Sequence, residues 1–146
     1  MKLKPRPVTI QYKPRDCFLP FHRRKQRWAC LVAHRRAGKT VAAINDLIKN
    51  AVEAKERNAL FGYIAPFRIQ AKAVAWEYLK WYAKPITRKV NESDLIVTTV
   101  TNAEVRLFGA DNDAMRGLGF NGLFMDEYGD FRPSMWGNVI RPTLAD

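Results

Sequence analysis

A short apolar run, residues 28–33 (WACLVA), leads into a polar loop ending Gly38-Lys39-Thr40, and a helical pattern opens directly behind it with Val41-Ala42-Ala43-Ile44. Few patterns restrict a fold as tightly. Buried strand, loop closing on Gly-Lys-Thr, then helix brings successive backbone N–H groups and the positive end of a helix dipole to one point. Such a point can hold a triphosphate. On that reading Ala33, His34, Arg35, Arg36, Ala37, Gly38, Lys39 and Thr40 form the phosphate cradle. Lys39 reaches the outer phosphates, and the Thr40 hydroxyl binds the Mg²⁺ that bridges them. Ala33 stands where the common G-x-x-x-x-G-K-[ST] pattern has its first glycine. The plainer alternative is an ordinary glycine turn followed by a solvated lysine and a helix-start threonine.

A second pattern bears on that choice. Leu123-Phe124-Met125-Asp126-Glu127 is an apolar strand ending in two carboxylates, the Walker B arrangement. Asp126 is then the metal-associated group, acting through water, and Glu127 the general base that polarises the attacking water. Acidic pairs also end ordinary strands that run into turns; the pairing with Gly-Lys-Thr upstream favours the joint reading.

The chain has 146 residues, which suits a single domain, and 47% hydrophobic residues suffice for a core. Cys17, Cys30, His22 and His34 show neither metal spacing nor a disulfide framework, so both thiols read as packing residues in a reducing cytosol. No apolar run reaches the length of a membrane span, and the basic start leads into no secretion-signal core. The net charge of +11 is unevenly spread. Residues 1–40 hold 12 Lys/Arg against the single acid Asp16, whereas residues 41–146 hold 13 of each sign. The excess therefore sits on the N-terminal arm and the loop. Polyanion binding is one consequence, with nucleotide at Arg35, Arg36 and Lys39 and nucleic acid at Arg23-Arg24-Lys25 and Arg27; a solvated charged face is the other.

In chain order, residues 1–20 with four prolines read as an extended basic arm, and residues 21–27 as a short basic helix. Residues 39–57 carry apolar positions 41, 44, 47, 48 and 52, a helical stripe; residues 59–65 are a second strand stopped by Pro66. Residues 68–83 form a helix with Ile69, Ala73, Trp76, Leu79 and Ala83 on one side and its aromatics in the core. Residues 95–100 and 105–108 alternate like a hairpin, and 111–119 is a loop holding Arg116. Strand–helix alternation predicts an α/β fold over residues 21–146: a mainly parallel sheet flanked by helices.

The segments AHRRAGKT, IAPFRIQAKAVAWEYLKWYAKPI, RLFGADNDAMRGLGFNGLFMDEYGD and WGNVIRPTLAD together resemble the ATPase domain of the large terminase subunit of tailed bacteriophages. That protein is the motor that pumps viral double-stranded DNA into a preformed capsid. The similarity runs from about Tyr12 to Asp146. Terminases commonly carry arginine inside the phosphate loop and lack its first glycine, as here. The resemblance implies ATP and Mg²⁺ as cofactors, with Lys39 and Thr40 at the phosphate and metal positions and Arg35 as the loop arginine on the outer phosphates. It implies Asp126 and Glu127 as the metal-associated and catalytic carboxylates. Arg116 corresponds to an arginine that acts across a subunit interface on a neighbour's ATP, or else is a loop arginine paired with Asp111 or Asp113. Family members often read adenine with a glutamine ahead of the loop; Gln11 and Gln26 are the candidates, and ATP is preferred through the family alone. A portal protein, a small terminase subunit, a ring of copies and the cytoplasm of an infected bacterial host follow as expected surroundings.

The resemblance also implies a P-loop NTPase of the additional-strand, catalytic-glutamate type. In that type the strand after Walker B inserts between the loop strand and the Walker B strand. The chain ends just before it, so the expectation is an N-terminal piece with a gap in its sheet and little activity alone. Two rivals remain: a helicase-type translocase, which shares the GKT and DE patterns, and a non-catalytic basic nucleic-acid-binding module.

Overall fold

A computed structural model of the protein describes residues 7–144. After an extended stretch the chain enters a 3₁₀ turn at Asp16–Phe18 and a single turn of helix, α1 (Leu19–His22). Helix α2 (Lys39–Glu53) begins at the Gly-Lys-Thr loop. Strand β1 (Leu60–Ala65) is followed by a helical run over 68–83: α3 (Arg68–Ala71), a wide π-type turn (Lys72–Trp76) and α4 (Glu77–Ala83). Strands β2 (Thr87–Asn91), β3 (Ile96–Thr99), β4 (Glu104–Gly109) and β5 (Gly122–Met125) come next. The last helical stretch joins a π-type turn (Trp136–Ile140) to α5 (Arg141–Thr143).

The sheet order is β2-β3-β4-β1-β5. β1 pairs parallel with β4 on one side and with β5 on the other, while β3 is antiparallel to both β4 and β2. β2 thus runs with β4, and β3 alone is reversed. The sheet is mainly parallel, as the strand–helix alternation predicts. β1 is buried along its whole length because both faces are covered, the usual condition of a parallel strand. On one face Phe61, Tyr63 and Ala65 meet Ile44, Leu47 and Ile48 of α2 and Trp76 and Leu79 of the 68–83 run. On the other, Leu60 and Ile64 pack with Phe108, Met115, Met135 and Ile140. Each fully buried large side chain contributes about 1.5–3 kcal/mol, so these two clusters carry the fold.

Several expectations are corrected. Residues 28–33 form no strand: the segment is extended without ladder partners, Trp28 is 56% exposed and Val32 is 94% exposed. A strand needs a neighbour for its N–H and C=O groups, and none of the described strands lies beside this one. Cys30 on this segment and Cys17 on the 3₁₀ turn are exposed free thiols rather than packing residues. The helix expected at 21–27 is a single turn, Leu19–His22, that begins in the stretch read as an arm and ends by His22; residues 1–6 of that arm lie outside the described range. On the 68–83 run the buried positions are Ala71, Ala75, Trp76, Leu79 and Ala83, while Ile69 is 81% exposed. The buried positions follow a single 3.6-residue stripe through 71, 75, 79 and 83, and Ile69, in the first turn at the edge of that stripe, faces solvent. Trp81 and Tyr78 lie outside the core as well. Strand β2 and the helical stretch over 134–143 are additions that the sequence reading passed over.

Candidate functional site

Residues 34–38 turn sharply into α2. Gly38 sits at φ 97° in the left-handed region, where a side chain would be strained, and its carbonyl accepts the first helical hydrogen bond, from Ala42 N–H at 3.0 Å. Arg36 also has a positive φ, 63°. Ala37 and Ala42 pack on the buried ring of Phe18, and the Arg15 guanidinium donates to the Ala37 carbonyl at 2.9 Å. The loop is therefore braced from below by the N-terminal segment. Neither Arg15 nor Phe18 stood out in the sequence, because neither belongs to the loop pattern. The Lys39 ammonium donates back to the Ala33 carbonyl at 3.2 Å, spanning the loop. His34 Nδ1 lies 2.6 Å from the Arg35 carbonyl, and the side chains of Arg35 and Arg36 are exposed.

The acidic pair comes from the neighbouring end of the sheet. β5 ends at Met125, and the ladder continues one residue further, Asp126 N–H donating to Ile64 C=O at 2.8 Å. Glu127 then adopts φ 50°, an uncommon conformation for a residue with a Cβ, and turns the chain out of the sheet. Asp126 Oδ2 accepts a hydrogen bond from the Tyr63 hydroxyl at 2.5 Å. Burial, the bond to Asp126 and the charge of Asp126 push the Tyr63 phenol far above its ordinary value, with Thr40 pulling weakly the other way. The phenol stays protonated and acts as donor.

Lys39, Asp126 and Glu127 line one open groove of about 1010 Å³. Its walls are the extended residues 28–31 and strand β5. At the far end Trp28 meets Trp136 edge to face at 5.7 Å, and Arg27 donates to the Leu144 carbonyl at 2.9 Å. The two motifs, almost ninety residues apart, thus share a cavity. Oxygen donors of the kind Thr40 and Asp126 carry, one hydroxyl and one carboxylate, suit Mg²⁺, which is held by one or two protein groups plus phosphate. Among the described residues no group of three or more His, Cys, Asp and Glu forms a metal cluster of another kind.

Other candidate residues lie elsewhere. Arg116 is exposed outside the groove, 3.4 Å from Asp113 and donating to the Asn138 carbonyl at 3.3 Å; Arg132 also pairs with Asp113. Of the basic cluster, Arg24 is taken up by Asp46, while Arg23 and Lys25 are exposed. Gln26 accepts from its neighbour Lys25 N–H at 3.2 Å, and Gln11 is exposed. No described helix is long and apolar enough to cross a membrane.

Fold and groove together define a mixed α/β domain in which a five-stranded, mainly parallel sheet lies between helices, with Lys39 at the start of α2 and the Asp-Glu pair at the end of β5 lining one cavity. Within that class the chain resembles the ATPase domains of phage large terminases. It is similar to the large terminase ATPase domain of Thermus phage P74-26, with a TM-score of 0.75 and 25% identity over 92% of this chain and 61% of that one. It shares its fold with the large terminase of a thermophilic bacteriophage at a TM-score of 0.64 and 21% identity, covering 77% of this chain and 30% of that one. A further structure of that terminase, solved in complex with ATP-gamma-S, gives a TM-score of 0.62 and 21% identity over 77% of this chain and 28% of that one. This chain therefore spans about three fifths of the P74-26 domain. No family model and no curated protein matches it.

Proposed function

We propose that this chain is part of the ATPase of a phage terminase large subunit, a P-loop NTPase that couples Mg-ATP hydrolysis to packaging of double-stranded DNA. The observation that carries the proposal is the shared groove of Lys39, Asp126 and Glu127 in a terminase-like fold. ATP binds with its phosphates against residues 33–40. Lys39 exchanges its bond to Ala33 for the outer phosphates, and Arg35 is free to swing in from solvent. Thr40 and Asp126 hold Mg²⁺, which when bound offsets the phosphate charge. Glu127 orients a water for in-line attack and accepts its proton. Arg116, outside the groove and on the surface, is suited to serve a neighbouring copy's nucleotide, where such arginines raise rates roughly 10³–10⁵-fold in P-loop enzymes.

Turnover by residues 1–146 alone is slow in this reading. The segment feeding the loop has no sheet partners among the described residues, so the phosphate cradle is held by Arg15, by packing on Phe18 and by the Lys39 bond to Ala33 rather than by a strand ladder. DNA, portal and small-subunit contacts belong to the larger assembly. A fluorescent ATP analogue should bind the chain more tightly with Mg²⁺ than without, and Lys39→Ala should abolish binding. Salt-sensitive DNA binding with no nucleotide affinity would instead identify a basic nucleic-acid-binding module.

A further inference from the structure

Tyr63 was not among the residues that the motifs single out. Its neighbours on β1, Gly62 and Ile64, pack as ordinary core, and its ring stacks on Phe124 at 5.7 Å with an interplanar angle of 13°. A tyrosine in a fully apolar core needs a partner for its hydroxyl, or a phenylalanine would serve as well. Here the side chain is completely buried and the partner is the first carboxylate of the acidic pair, one strand away. That hydroxyl therefore reaches from β1 to the first carboxylate of the acidic pair.

We propose that Tyr63 is a positioning residue of the metal site: its hydroxyl, 2.5 Å from Asp126 Oδ2, fixes the carboxylate that holds Mg²⁺. The inference rests on the reading of Asp126 and Thr40 as the Mg²⁺ holders. A carboxylate with one oxygen committed to a buried donor keeps one orientation and leaves its other oxygen for the ion or an ion-bound water. Outer partners of this kind typically alter metal affinity 10–100-fold when removed. Tyr63 touches neither nucleotide nor water in this scheme and works only through Asp126.

The test is the Mg²⁺ dependence of binding of a fluorescent ATP analogue to the full chain, with thermal melts alongside. Tyr63→Phe removes one oxygen and keeps the stacked ring. It should leave metal-free nucleotide binding unchanged and raise the Mg²⁺ concentration for half-maximal tightening about 10-fold or more. Asp126→Asn should abolish the Mg²⁺ response. If Asp126→Asn abolishes the response but Tyr63→Phe titrates like the unmodified chain, the proposal is overturned while the Mg²⁺ reading stands. If Asp126→Asn leaves the response intact, or the unmodified chain has none, the Mg²⁺ reading fails and the proposal with it. Should Tyr63→Phe not fold, 3-fluorotyrosine at position 63 replaces it. Its ¹⁹F resonance should move on adding Mg²⁺ to the nucleotide complex and not on adding nucleotide alone; an unmoved resonance overturns the proposal.

Discussion

Arg24 grips the carboxylate of Asp46 with two hydrogen bonds, Nη1 to Oδ1 at 3.0 Å and Nη2 to Oδ2 at 2.9 Å, across a separation of 22 residues. Asp46 is buried on α2 and is also bonded by Asn50 Nδ2 at 3.2 Å. The pair ties the basic N-terminal segment to the helix that starts at the Gly-Lys-Thr loop. Arg24 is only part-buried, so removing the carboxylate loses its charge-assisted hydrogen bonds rather than stranding a buried charge, at a typical cost of about 1.5–3 kcal/mol. Asp46→Ala is therefore expected to lower stability by about that much in urea unfolding. A loss under 1 kcal/mol would show the pair to be a surface contact in solution.

His22 extends the same network and gives it a pH dependence. Its Nε2 lies 2.8 Å from the Tyr12 hydroxyl, and its Nδ1 lies 3.6 Å from Asp46 Oδ1. Burial pushes the Tyr12 phenol up to about 12, so it is protonated at neutral pH and donates to Nε2, leaving the ring hydrogen on Nδ1 toward Asp46. Burial, with Lys49 and Arg24 adding to it, holds His22 below its ordinary value, although Asp46 pulls the other way. A depressed imidazole means that the unfolded chain binds protons first as pH falls. Stability from this group is present above the ordinary histidine range and lost as pH drops through the folded value. Melting temperatures should fall from pH 7.5 to 5.5, and more steeply than in His22→Gln. Equal slopes would assign the pH dependence to other groups.

Gly109 ends β4 where the chain passes the start of α3. A Cβ there would lie 2.1 Å from both the Arg68 backbone nitrogen and Asp111 Oδ1, and Asp111 Oδ1 accepts from that same Arg68 N–H at 3.1 Å. Backbone cannot give way as a side chain tip can. Gly109→Ala should cost about 1–3 kcal/mol by overpacking, measured by chemical unfolding, whereas Gly129→Ala, with open space around its Cβ position, should be nearly silent.

How much of this was legible in the sequence follows from how local each signal is. β1, β5, α2 and the β3–β4 hairpin lie within a few residues of their expected places, because their apolar runs and periods are self-contained. The 28–33 run has equally strong strand composition and forms no ladder, since pairing depends on a neighbour that composition does not report. β2 (TRKVN) was missed because it is a mostly exposed edge strand without a clean apolar alternation. The site divides the same way. Lys39, Asp126 and Glu127 announce themselves by motif, whereas Arg15 and Tyr63 enter only through contacts across the fold, to Ala37 and Asp126.

The sharpest functional prediction concerns Glu127. Its backbone at φ 50° is held in a sparsely populated region directly after β5, and its side chain is exposed at the groove it shares with Lys39. Such strain in a functional turn fixes where the next side chain points. A carboxylate that only orients and deprotonates water contributes to turnover and little to nucleotide affinity. If the proposed function holds, Glu127→Gln should keep Mg-ATP binding within about threefold and lower the steady-state hydrolysis rate by about 10²-fold or more, the usual scale for losing a general base. Lys39→Ala should instead lose binding itself, since its ammonium meets the phosphates in ground and transition states alike. If Glu127→Gln loses affinity and turnover in parallel, Glu127 is a metal or nucleotide contact. The general base must then come from another group along the same groove.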